Sequence, residues 1–291
     1  MPLTTAERRA HRPRAVAVIT DLDGCLLDAH TYDVGPARGV LRLLRRRGVP
    51  LVLCTSKTLA EVRALFRTLG GPHLSVVEDG GGLFVPAGLA PTVRLGAARR
   101  RRDGRLVPLA VSYPAVRRAF ALLRRRTRGA VRGFGDCSVA EVAALTGLAP
   151  TAAGRARRRE FDEPFVFERE ESRFRDLVRR TAAARGMEVT RGGRFYHLHG
   201  RTDKGLATRH ARLILEQLHG PVVLVALGDS ALDAPMLIEA EVPVVVPRPD
   251  GRADPALRRR VPGARVAPAP GPAGWARAVT TALRRLAPGQ M

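Results

Sequence analysis

Lysine is almost missing from this chain of 291 residues: among 50 strongly basic residues only Lys57 and Lys204 are lysine. A coding bias toward arginine accounts for the general replacement. The two survivors mark places where a compact ammonium serves better than a planar guanidinium fork. Cysteine is scarce too. Cys25, Cys54 and Cys137 are odd in number and form no CxxC pair, which argues against a disulfide scaffold or a zinc ribbon and fits a reduced, cytoplasmic setting. Aromatic residues make up only 4%, too few for base-stacking platforms. No apolar run approaches the roughly 20 residues that span a bilayer, and no apolar signal segment follows the basic stretch 1–14.

What is present is charge and a core. The formal net charge is +23, which raises nucleic acid as a partner. The arginine clusters at 45–47, 99–102, 124–126 and 258–260 are instead scattered along the chain and border apolar helical patterns, as solvated faces do. No zinc-finger or RNA-recognition signature interleaves with them. Nucleic acid is therefore not the expected partner, and an anionic small molecule suits the field better. A hydrophobic content of 45% suffices for one large or two modest domains.

The order of elements gives the fold class. Short β-branched runs at 15–20, 49–54 and 74–77 alternate with helical patterns at 35–47 and 59–69. This predicts an α/β, doubly wound parallel sheet. The pattern changes after an expected edge hairpin at 83–85. Helices at 113–126, 139–145 and 174–185 then mix with strands at 161–167 and 194–198, which predicts an inserted α+β cap domain. Ser138 followed by Glu141 predicts a capping box. The α/β order resumes with a helix at 204–218, strands at 221–227 and 243–246 and a short helix through 236–239. A Pro/Ala-rich linker is expected at 267–273 before a last helix at 275–286. The expected division is a core of 1–85 and 200–291 with a cap of 86–199.

Directly behind the first strand stand Asp21 and Asp23. Ligands of α/β sheets collect at the carboxyl ends of strands. Side chains two apart on an extended segment point the same way. Such close carboxylates call for a divalent metal, an acid/base pair, or both. Three further pieces lie at comparable places: Thr55, Ser56 and Lys57 behind the second strand, Lys204 at a helix start, and Asp229 with Asp233 behind the strand 221–227. The set suits phosphoryl transfer, with a carboxylate nucleophile, a second acid, an ammonium and a hydroxyl around the phosphate. Magnesium matches hard carboxylate oxygens, and no histidine or cysteine cluster suggests zinc. Plainer roles stand beside these. Asp203 suits a helix cap, and His197 and His199 suit ordinary partly buried histidines.

The stretches DLDGCLLD (21–28), CTSKT (54–58), TDKG (202–205) and GDSALD (228–233) resemble the four motifs of the haloacid dehalogenase superfamily. Within it, CTSKT, REFDEPF (159–165), GGRFYHLHG (192–200) and GDSALDAPML (228–237) resemble the mannosyl-3-phosphoglycerate phosphatase family. The resemblance runs from about residue 14 to about residue 285. It implies a HAD-like core with an α/β cap, Mg2+ as cofactor, and hydrolysis of 2-O-mannosyl-3-phosphoglycerate to mannosylglycerate, a compatible solute. A glucosyl counterpart is the nearest alternative, and a weakened scaffold binding phosphorylated ligands or nucleic acid a second. By resemblance Asp21 is the nucleophile, Asp23 the general acid and base, and Thr55 and Lys204 hold the phosphate. Asp21, the Asp23 main-chain carbonyl, Asp229 and Asp233 serve the metal. Ser56, Lys57, Gly193, Arg194 and His197 grip the rest of the substrate. Three positions depart from the pattern: Cys25 stands where threonine is usual, and Asp79 and Leu232 where asparagine is.

Overall fold

A computed structural model of the protein describes residues 15–286; the basic stretch 1–14 lies outside the described residues. The chain opens with β1 (Ala15–Thr20), α1 (Arg38–Arg46), β2 (Leu51–Cys54), α2 (Leu59–Leu69) and β3 (Leu74–Val77). Helix α2 has its limits written in the sequence. The Thr58 side chain accepts from the Glu61 amide while Glu61 accepts from the Thr58 amide, and Gly70 closes the helix at φ +92°. The strands are buried on both faces, so they read as unbroken apolar runs rather than alternating ones.

Next come β4 (Gly82–Pro86), β5 (Arg99–Arg101) and β6 (Gly104–Pro108), all antiparallel. The expected edge hairpin is thus not an edge. β6 covers β4, and the arginines of β5 form the outer border, where repeated like charge discourages further pairing. These two strands belong to the large sheet, so we place the start of the insertion after Pro108 rather than at residue 86.

The insertion holds α3 (Tyr113–Arg126), β7 (Val131–Gly133), α4 (Val139–Thr146), α5 (Pro150–Ala156), β8 (Asp162–Phe167), α6 (Glu171–Ala183), β9 (Met187–Gly192) and β10 (Phe195–Gly200). Its four strands pair antiparallel in the order β7-β8-β10-β9, and their apolar face packs on α3 and α6 through Phe120, Phe165, Val178 and Leu198. The Ser138–Glu141 capping box forms as expected.

The chain then returns through α7 (Lys204–His219), β11 (Val222–Gly228), α8 (Ala234–Ile238), β12 (Val242–Val245), α9 (Pro255–Arg260), β13 (Arg265–Val266) and α10 (Gly271–Leu286). The nine-stranded sheet has the order β13-β12-β11-β1-β2-β3-β4-β6-β5, with β1 parallel to both β2 and β11. One apolar cluster fills each face. The expected linker shrinks to Ala267–Pro270, because helix α10 begins at Gly271. A Cβ at Gly274 would lie 1.7 Å from the Ala269 carbonyl oxygen, so this small-residue stretch is tightly packed rather than loose. Trp275 is fully buried, and its Nε1 donates to Thr20 Oγ1 at 2.9 Å. Arginines end α1, α3 and α9, where they face the negative pole of the helix dipole. No helix among the described residues is long and apolar enough to cross a membrane.

Candidate active site

Parallel pairing brings the ends of β1, β2, β3 and β11 to one edge, and α7 starts there. At the end of β1 the Asp21 amide donates to the Leu227 carbonyl at 2.9 Å, tying the loop to β11. Gly24 turns the chain at φ +78°, and a Cβ there would lie 2.7 Å from Asp229 Oδ2. Only glycine supplies both the left-handed turn and the close approach. Gly228, the last residue of β11, serves close approach alone, because a Cβ there would lie 2.4 Å from the Asp233 Cβ.

These turns gather a buried charge cluster. Lys204 Nζ donates to Asp21 Oδ1 and to Asp233 Oδ1, both at 2.7 Å, and lies 3.7 Å from Asp79 Oδ1. The other oxygen of Asp233 accepts from the Asp229 amide, the Ser230 amide and Ser230 Oγ. Asp21, Asp229 and Asp233 each offer an oxygen within 4.8 Å of the others. Burial works against the Lys204 charge, yet Asp21 and Asp233 hold its ammonium well above the ordinary lysine range. Burial also lifts the Asp21 carboxyl well above its usual value against the pull of Lys204, with Asp233 and Asp229 adding like charge. Asp229 is pushed up to about 7 by burial and by Asp233. One ammonium among these carboxylates leaves an excess of negative charge. An all-oxygen donor set with that excess fits a hard divalent cation such as magnesium.

Asp23 faces the other way. Its Oδ2 pairs with Lys57 Nζ at 2.7 Å, and its side chain is not one of the three converging carboxylates. Lys57 also lies 5.0 Å from the Tyr32 ring centroid. Thr55 is buried, its Oγ1 accepting from the Lys57 amide at 3.2 Å.

A cavity of about 180 Å³ opens beside Asp23 between the large sheet and the cap. Ser56, Lys57, Arg194 and His197, four of the five residues expected from the sequence to grip the substrate, line it. Gly193 does not. It forms the exposed tip of the β9–β10 hairpin at φ +57°, and its neighbour Gly192 lines the cavity instead. Leu232 meets this hairpin: its Cδ1 lies 3.2 Å from where a Cβ on Gly192 would sit. Asp203 caps α7 by accepting from the Leu206 amide, as expected from the sequence. Cys25 is buried with Sγ 3.5 Å from Thr20 Oγ1, and burial pushes its thiol well above the ordinary range, as it does for Cys54. Neither is a reactive thiol.

Sequence reasoning gave no role to three residues at the joint between sheet and cap. Arg159 Nη1 donates to the Ser56 carbonyl at 2.8 Å and to Asp162 Oδ1 at 3.0 Å. Asp162 Oδ2 lies 2.6 Å from His197 Nδ1. Burial opposes the Asp162 charge, yet Arg159 and His197 hold its carboxyl well below the usual range. Glu78, buried at φ +51°, accepts from the amides of Glu160, Phe161 and Asp162. Burial and Asp162 push its carboxyl well above the usual value. Arg159 and Asp162 belong to REFDEPF, so the signal was in view as a family marker without a chemical reading.

A curated protein of Methanococcoides burtonii, named glucosyl-3-phosphoglycerate/mannosyl-3-phosphoglycerate phosphatase, is 36% identical over 262 residues, covering 90% of this chain and 95% of its own length. The chain belongs to this phosphatase family. A Persephonella marina protein of the same name is 34% identical over 274 residues, 93% of this chain and 98% of its own. Among solved structures, a Bacteroides thetaiotaomicron phosphatase of the haloalkanoate (HAD) superfamily matches with a TM-score of 0.63 at 17% identity, covering 97% of both chains. A HAD subclass IIB sugar phosphatase matches with a TM-score of 0.62 at 14% identity, covering 95% of this chain and all of the other. These two likenesses establish the HAD-like fold of the family member described here. No family model matches the chain.

Proposed function

We propose that this chain is a magnesium-dependent phosphatase that hydrolyses 2-O-mannosyl-3-phosphoglycerate and, as its relatives' names suggest, the glucosyl counterpart. The observation that carries the reading is the buried cluster in which Lys204 bonds both Asp21 and Asp233 beside Asp229. Asp21 attacks phosphorus, and the bond from phosphorus to the glycerate oxygen breaks. Asp23 gives its proton to that oxygen, leaving a phosphate ester on the Asp21 carboxylate. Asp23 then takes a proton from water, whose oxygen attacks phosphorus, releasing phosphate and restoring Asp21. Lys204 balances charge on the non-bridging oxygens, Thr55 donates its hydroxyl to one of them, and Lys57 steadies Asp23. Asp21, Asp229 and the Asp23 carbonyl would hold magnesium, with Asp233 acting through water because both of its oxygens are already engaged. When bound, the cation offsets phosphoryl charge.

Phosphate release from the mannosyl and glucosyl esters, with and without magnesium, tests this reading. Release is expected only with magnesium, at a kcat/KM at least about 10-fold above that for a hexose 6-phosphate, since the cavity must recognise more than phosphate. A preference for a sugar phosphate lacking glycerate overturns the substrate. Tight binding of duplex DNA at physiological salt without phosphate release favours the scaffold alternative.

The charge cluster also sets a pH dependence. Asp229 rises from 3.8 to about 7 in the folded, metal-free protein. The folded state then holds a proton that the unfolded chain has lost, so this group's contribution to stability is present at low pH and falls as pH rises toward 7. Magnesium is therefore expected to raise Tm more at pH 8 than at pH 5, as thermal denaturation at the two pH values will read.

A further inference from the structure

The phosphatase reading leaves open what holds the carboxylate of the three-carbon acid. The cavity beside Asp23 is lined by the cationic side chains of Lys57, Arg159 and Arg194, together with His197. Lys57 Nζ is committed to Asp23. Arg194 is exposed, and its Nη2 donates to the Thr146 carbonyl at 2.7 Å. Arg159 differs from both. Its side chain is 6% exposed, and three bonds fix it: Nε to the Ala156 carbonyl, and Nη1 to the Ser56 carbonyl and to Asp162. Nη2 makes no hydrogen bond among the described residues. A buried guanidinium held this firmly, with Nη2 left over in a residue that lines the cavity, is prearranged for an anionic oxygen.

We infer that Arg159 is the receptor for the substrate carboxylate, with His197 beside it. The inference rests on the phosphatase reading and deepens it. Position supports it. Arg159 is anchored on the carbonyl of Ser56, the neighbour of Thr55, whose hydroxyl that reading gives to the phosphate. Asp162 joins the two recognition groups. One oxygen pairs with Arg159, and the other, at His197 Nδ1, leaves Nε2 as the free ring nitrogen. Glu78 holds the backbone of residues 160–162 in place from the large sheet. Arg159 thus senses substrate from the cap side while resting on the phosphate loop of the core.

The test compares two ligands that differ in this group alone, 3-phosphoglycerate and glycerol 3-phosphate, titrated calorimetrically into the full chain with magnesium present. The wild type is expected to bind 3-phosphoglycerate about 100-fold more tightly, the scale of a charge-assisted bond to a buried group. Arg159→Lys is expected to reduce that ratio to about 5-fold or less, because an ammonium cannot hold Ser56 and Asp162 and still present a further donor in the same place. Equal wild-type affinities overturn the inference whatever the variant does. A variant that weakens both ligands alike, keeping the ratio, assigns Arg159 to structure and also overturns it. Failure of the wild type to release phosphate from either sugar ester, with the 100-fold ratio intact, sinks the phosphatase reading and leaves the carboxylate receptor standing.

Discussion

Asp21→Asn is expected to lower kcat for phosphate release by about 10⁴-fold or more, the scale of losing a covalent nucleophile. The change keeps the shape of the side chain and one oxygen that can still accept from Lys204, which bonds Asp21 Oδ1 at 2.7 Å. What it removes is the charge that the proposed reaction directs at phosphorus. It also relieves the crowding of Asp21 against Asp233 and Asp229, whose like charge pushes the Asp21 carboxyl up. The variant is therefore expected to match or exceed the wild type in Tm without magnesium while losing turnover. Phosphate release and thermal denaturation on the same preparation separate the two effects. Activity within about 100-fold of wild type would show that Asp21 is not the nucleophile.

Lys204→Met has a different signature, because stability should fall together with activity. Lys204 is 4% exposed and bonds two carboxylates that have no other cation within reach among the described residues. Removing one member of a buried ion cluster leaves uncompensated charge, at a cost of about 3–5 kcal/mol. Urea denaturation without magnesium should register that loss, and magnesium should recover part of it by supplying positive charge to the same oxygens. Loss of the ammonium that the proposed reaction sets against the phosphate should lower kcat/KM by about 10²–10³-fold, the scale of losing one preorganised donor. Arginine is no remedy, since a planar fork does not fit between two oxygens each 2.7 Å from a single nitrogen. A Lys204→Met protein as stable as the wild type without magnesium would mean that the cluster is not charged as described.

How far the fold was readable follows from where its signals lie. β1, α2, β3 and α3 occur over the residues expected from the sequence. Each combines a strong apolar pattern with local punctuation, as at Thr58 and Gly70 around α2. The strands β5 and β6 carried no such pattern. Arg99–Arg101 is a strand because β6 offers it an unpaired edge, which is a tertiary cause. The stretch 267–273 misled for the opposite reason. Proline and small residues that usually mark a loose connection here allow backbone to pack on backbone at Gly274. In the site, the acidic residues and Lys204 were legible because four short motifs sit at predictable strand and helix ends. Arg159 was hidden among 50 lysine and arginine residues. Only its burial and its bond to Ser56 distinguish it from a solvated face.

The chain's only tryptophan is spent on the site's foundation. Trp275 Nε1 bonds Thr20 Oγ1, which donates in turn to the Asp21 carbonyl at 2.7 Å. The indole thus stands two hydrogen bonds from the backbone of Asp21. The protein consequently carries a built-in optical reporter: its emission arises from one buried ring on helix α10, undiluted by other indoles, and follows the seating of that helix against β1.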